Sequence, residues 1–220
     1  MMIDLHTHTL FSDGELIPSE LVRRAKAIGY RAIAITDHAD FTNIDLLLDG
    51  AKKARYLEEG YDITVLAGVE LTHVPPKLIP GLARKAKQLG ADIVVVHGES
   101  PVEPVAPLTN LAAVECPEVD ILAHPGFNTE EEAGMAADNG VFLEITARYG
   151  HNVTNGHVAR IATKAGAKLV INTDTHSPDD LITRERAILV ARGAGLSEEE
   201  AEAALRNSKD LLTNILKHRV

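Results

Sequence analysis

Short runs of aliphatic and β-branched residues alternate along the chain with longer stretches in which apolar positions recur every three or four residues. The first kind predicts strands over 2–5, 31–36, 63–69, 91–96, 119–123, 141–145 and 168–173. Several of these, such as Ile93-Val94-Val95-Val96, are apolar at every position, which marks strands covered on both faces, as in a parallel sheet. The second kind predicts helices over 18–28, 43–59, 78–89, 107–115, 130–139, 155–165, 179–193 and 198–216. Local signals agree. Pro18 and Pro178 suit first turns. Thr129 with Glu132, and Ser197 with Glu200, have capping-box spacing. Gly29, Gly60, Gly90, Gly140 and Gly166 stand at helix-to-strand junctions, where a left-handed residue is useful.

Seven strand–helix units without a linker or low-complexity segment predict one domain over residues 1–220. The expected fold is α/β: a distorted (β/α)7 TIM-like barrel of parallel strands with a C-terminal helix. An open, doubly wound sheet is the alternative.

Parallel β/α barrels gather their chemistry at the C-terminal ends of the strands. His6 and His8 follow the first predicted strand here, with Asp13 just beyond. The second is followed by Asp37-His38, the third ends in Glu70, the fourth in His97 and the fifth in His124. Asp174 and His176 follow the seventh. Six of the ten histidines thus lie at strand ends, which random scatter would rarely produce. An i, i+2 pair on extended chain points both side chains to one face, as in His6-Thr7-His8 and in Asp174-Thr175-His176. Imidazole and carboxylate together suit zinc, manganese or iron. Nine such groups, His6, His8, Asp13, His38, Glu70, His97, His124, Asp174 and His176, exceed the needs of one ion, so two to three divalent cations are expected, and Glu70 could bridge two.

Composition narrows the setting. The chain is 45% apolar and 25% charged, ordinary for a globular protein. It has no apolar run of membrane-spanning length, so no membrane partner is expected. The N-terminus lacks a basic segment followed by an apolar one, and the single cysteine, Cys116, cannot form an intrachain disulfide. A cytoplasmic location is expected, with Cys116 a packing residue. The net charge of −10, without a Lys/Arg cluster, makes a nucleic-acid polymer an unexpected partner. A small phosphorylated substrate is allowed where cations supply the positive charge.

Asp4-Leu5-His6-Thr7-His8, Ser12-Asp13-Gly14, Thr36-Asp37-His38, Gly68-Val69-Glu70, His124-Pro125-Gly126 and Thr173-Asp174-Thr175-His176 together resemble the polymerase and histidinol phosphatase (PHP) superfamily, in the right order over nearly the whole chain. The resemblance implies a distorted (β/α)7 barrel, up to three metals and phosphoesterase activity. It implies one cation on His6, His8, Glu70 and Asp174, a second on Glu70, His97 and His124, and a third on Asp13, His38 and His176. The substrate expected is a small phosphorylated metabolite, as for a histidinol-phosphate phosphatase. A phosphodiesterase or nucleotide phosphatase, an amidohydrolase-like hydrolase and a non-catalytic metal-stabilised accessory module remain alternatives.

Beyond the metal set, Arg148 follows the sixth strand and is a candidate to hold phosphate bidentately. His151 is a candidate proton donor to the leaving group. His73 is placed to line the pocket, Glu144 to support a histidine, and Asp37 to orient a ligand rather than bind metal.

Overall fold

The fold is that of a computed structural model, described for residues 2–219. Eight strands form, β1 (Met2–Asp4), β2 (Tyr30–Ile35), β3 (His38–Ala39), β4 (Thr64–Leu71), β5 (Ile93–His97), β6 (Ile121–Ala123), β7 (Phe142–Thr146) and β8 (Leu169–Asn172). The helices are α1 (Pro18–Ala27), α2 (Ile44–Lys53), α3 (Leu57–Tyr61), α4 (Ile79–Gln88), α5 (Thr109–Val114), α6 (Glu130–Asn139), α7 (Asn155–Ala165), α8 (Arg184–Gly193) and α9 (Glu198–His218). Seven strands pair in parallel in the order β1-β2-β4-β5-β6-β7-β8, as the chain pattern predicts.

The sheet nearly closes between β1 and β8, where the extended chain past each strand meets. His8 N donates to Thr175 O at 2.8 Å and Asp174 N to His6 O at 3.0 Å. Side chains complete the seam: Leu5 N donates to Asn172 Oδ1, and Thr173 Oγ1 to Asp4 Oδ2 at 2.6 Å. Burial pushes the Asp4 carboxyl up to about 7, against the hydrogen bonds from Thr173.

Alternation along each strand sorts the core into two layers. Ile33, Ile35, Val65, Ala67, Val94, Val96, Leu143 and Ile145 pack with the helices. Ala32, Ala34, Leu66, Ile93, Val95, Ile121, Phe142 and Val170 pack together inside the barrel, where Leu211, Leu212 and Ile215 of α9 join them. The C-terminal helix therefore plugs one end of the barrel.

Two predicted helices break, and one short strand is added. The helix expected over 43–59 tightens into a 3₁₀ turn at Ala54–Tyr56, where Arg55 turns in to the Asp92 carboxylate at 2.9 Å. The helix expected over 179–193 breaks between a 3₁₀ turn at Pro178–Asp180 and α8. There the Tyr30 hydroxyl donates to Ile182 O and accepts from Ile182 N, and Thr183 caps α8. The two-residue β3 was not expected; it pairs His38 with Glu70 in register. No helix among the described residues is long and apolar enough to cross a membrane.

Candidate metal centre

Strand parity delivers several of the expected residues. Leu66 faces the barrel interior, so Gly68 and Glu70, two and four residues on, share that face. The same parity carries Ile93 and Val95 to His97, and Val170 and Asn172 to Asp174. His124 directly follows the inward Ala123 and would point away; its φ of 25° turns it back. Asp174 also has positive φ, 54°. Such backbone costs on the order of 1–3 kcal/mol each where the residue is not glycine, and it clusters where a site needs a side chain aimed.

All nine expected side chains converge. His6 Nε2 lies 3.2 Å from Glu70 Oε1 and 3.7 Å from Asp174 Oδ1. His8 Nε2 lies 3.2 Å from Asp174 Oδ1 and 3.0 Å from His6 Nε2. His38 Nδ1 approaches Glu70 Oε2 at 2.7 Å, and its Nε2 lies 3.4 Å from Asp13 Oδ1. His176 Nε2 is 3.2 Å from the same Asp13 oxygen. His124 Nε2 sits 3.6 Å from Glu70 Oε1 and 3.5 Å from Asp174 Oδ2. Ligand atoms lie within 4.8 Å of one another in four sets: His6/His8/Glu70, His6/His124/Asp174, His8/Asp13/His38/His176 and His97/His124/His151. Glu70 falls in the first set alone, and its oxygens also face His38 and His124.

The donor set fits divalent cations on an observation of its own. Glu144 Oε1 lies 2.9 Å from His6 Nδ1, which places a proton there and turns Nε2 toward His8 Nε2. A shared proton or a cation must lie between the two rings. The carboxylates crowding the same nitrogens favour positive charge there. Glu70 Oε1 is buried without a hydrogen-bond donor, an arrangement that costs free energy unless positive charge meets it.

The electrostatics agree. Burial holds His8 down to about 3 and lowers His124, keeping both rings neutral. Against burial, Glu144, Glu70 and Asp174 hold His6 well above its usual range, and Glu70 and Asp13 raise His38 to about 10. Glu70 and Asp174 are held well below the carboxylate range despite burial, by His6 foremost. The carboxylates are anionic and call for positive charge.

Supporting contacts hold these side chains. Glu144 also accepts from Asn172 Nδ2 at 2.8 Å and from His124 N at 3.1 Å, so it braces the ends of β6 and β8. Asp37 accepts from Thr9 N, Thr9 Oγ1 and Ser12 Oγ, and so secures the loop that carries Asp13.

Arg148 is half-buried on the same face, with Nη1 at 3.0 Å from Asp180 Oδ2. That oxygen also accepts from His176 N and Ser177 N. The guanidinium is thus engaged with the turn behind His176. His151, expected as a proton donor, comes into one set with His97 and His124. His73, with φ of 52°, sits at the mouth and bonds Glu103 Oε2 at 3.0 Å. Sequence reasoning missed Glu103, which meets His73, His97 and His151. The available signal was an acid six residues past His97, in a loop on the catalytic face.

The PHP domain family profile matches residues 4–97. An uncharacterized protein of Methanocaldococcus jannaschii is 56% identical over 98% of this chain and 100% of its own. Ribonuclease P protein component 3 of Methanosarcina mazei is 31% identical over 88% of this chain and 81% of its own. Histidinol phosphate phosphatase from Lactococcus lactis, solved with zinc, L-histidinol and phosphate, shares the fold at a TM-score of 0.64 and 16% identity, over 89% of this chain and 94% of its own.

Proposed function

This chain belongs to the PHP superfamily, and we propose that it is a metal-dependent phosphoesterase acting on a small phosphorylated metabolite. One observation carries the reading: nine imidazole and carboxylate side chains from separate strand ends meet in one mostly buried cluster with ligand-to-ligand spacing. Burying so many ionisable groups costs stability, and a resident set of cations offsets that cost.

Two to three divalent ions, zinc, manganese or iron, suit these donors. His6, His8, Glu70 and Asp174 would hold one, Glu70, His97 and His124 a second, and Asp13, His38 and His176 a third. When bound, such ions neutralise phosphate charge and make hydroxide available near neutral pH. The chain's own residues do the rest. Glu144 keeps the His6 proton on Nδ1, so Nε2 stays a donor atom. Arg148, paired with Asp180 behind His176, is the candidate to hold phosphate oxygens. His151 lies at the mouth end of the cluster and is the nearest candidate to protonate a leaving group.

A second reading draws on the Methanosarcina relative: a protein component of a ribonuclease P. A net charge of −10 suits it poorly, since phosphate-backbone binding draws on Lys and Arg. Turnover of p-nitrophenyl phosphate by chelator-stripped protein, with and without added Mn²⁺, tests the proposal. Metal-dependent turnover is the expected result, and a panel of histidinol phosphate, nucleotides and cyclic phosphodiesters then ranks substrates. No turnover with cations bound would favour the second reading.

A further inference from the structure

The loop between His97 and α5 is pinned at its start. A Cβ at Gly98 would lie 2.3 Å from Ala123 O, and one at Gly126 (φ 66°) 2.0 Å from Glu99 O, so only glycine lets the loops after β5 and β6 press together. Asn110 clamps them: its Oδ1 accepts from Glu99 N and its Nδ2 donates to Pro125 O. The loop then turns back through Pro101 and Pro104 over the mouth, carrying Glu103 between them.

Glu103 Oε2 lies 3.2 Å from His97 Nε2, and Oε1 lies 3.4 Å from His151 Nε2. His97 Nδ1 lies 3.1 Å from Gly98 O, a pure acceptor, so the Nδ1 position carries a proton. Nε2 is then the ring position that meets the Glu103 carboxylate. Two acceptors this close repel unless a cation or a second proton lies between them. Bonds of about 2.0–2.1 Å to one tetrahedral ion place neighbouring ligand atoms roughly 3.3–3.4 Å apart. The 3.2 Å between Glu103 Oε2 and His97 Nε2 is close to that figure, His151 faces the other oxygen, Oε1, and the His97 and His124 nitrogens already fall within 4.8 Å of one another.

We propose that Glu103 is an additional carboxylate ligand, through Oε2, of the cation held by Glu70, His97 and His124. His73, bonded to Glu103 Oε2 on its outer side, orients the carboxylate without being a ligand itself. This inference rests on the metal-centre reading above and extends its second site beyond Glu70, His97 and His124.

The test is calorimetric titration of Zn²⁺ into the chelator-stripped full chain, for wild type, Glu103→Gln and His73→Ala. Glu103 leaves more than a third of its side chain exposed, so the metal-free variant should melt like wild type; this is measured alongside. Expected is a selective loss of one class of site in Glu103→Gln, or its weakening by at least about tenfold, with the other sites unchanged. His73→Ala should weaken the same class less. A Glu103→Gln titration identical to wild type overturns the proposal and leaves Glu103 an ion-pair partner of protonated histidines. Wild type that takes up no cation would overturn the metal-centre reading as well, so the two failures are distinguishable.

Discussion

Glu70 concentrates the chemistry at the scale of single residues. It is fully buried, and His6, His38 and His124 all reach its carboxylate. Glu70→Gln keeps the shape and removes the charge that would offset repulsion between neighbouring cations. Metal affinity is expected to fall about 10–100-fold or more, with phosphatase activity falling in parallel; metal analysis beside a rate assay checks both. Arg148→Ala separates two roles. If the guanidinium holds phosphate, KM should rise about 10–150-fold, matching a charge-assisted bond of roughly 1.5–3 kcal/mol, with metal content unchanged. If it serves only the Asp180 turn, metal should be lost beside His176. Cys116 is a packing residue, as its sequence setting implied, and burial pushes its thiol up to about 11. Its folded value lies above the ordinary 9.0, so the unfolded chain ionises first. Stability should be insensitive to this group below about pH 9 and fall as pH rises toward 11. A denaturant series across that range, in wild type and Cys116→Ala, measures the difference. The convergence of Glu70, His97 and Asp174 was legible in the sequence because a period of two fixes which face a residue takes, whereas His124 turns in only through its backbone. Glu103 was not legible, because the course of its loop depends on contacts at Gly98, Gly126 and Asn110, far from any local propensity.

Capping and plugging dominate at the scale of elements. The capping boxes expected at Thr129/Glu132 and Ser197/Glu200 both form, with reciprocal bonds of 2.7–3.2 Å. These signals are local, so the sequence shows them directly. The plug is different. The 198–216 pattern announced a helix, but nothing in it said that Leu211, Leu212 and Ile215 seal the barrel interior. Likewise the break before α8 depends on Tyr30, over 150 residues away. Leu212→Ala opens a cavity beneath the barrel and is expected to cost about 2–5 kcal/mol, read from a chemical denaturation midpoint. Metal ligation, at the opposite end, should be retained in the folded variant.

For the whole molecule, the seven-stranded barrel holds two regions with opposed energetics. One end is apolar and closed by α9; the other gathers imidazoles and carboxylates whose burial opposes folding. Cation binding should therefore stabilise the chain by mass action, by about 2.7 kcal/mol at 100 times Kd, which for a domain of this size is a Tm rise of roughly 5–11 °C. Chelation should reverse it. The central claim is that the strand-end cluster is a multi-cation centre, and the most direct test is an anomalous-difference map from crystals grown with Mn²⁺. The account predicts two or three peaks within bonding distance of His6, His8, Asp13, His38, Glu70, His97, His124, Asp174 and His176. A map with no peak beside His6 and His8 would contradict it.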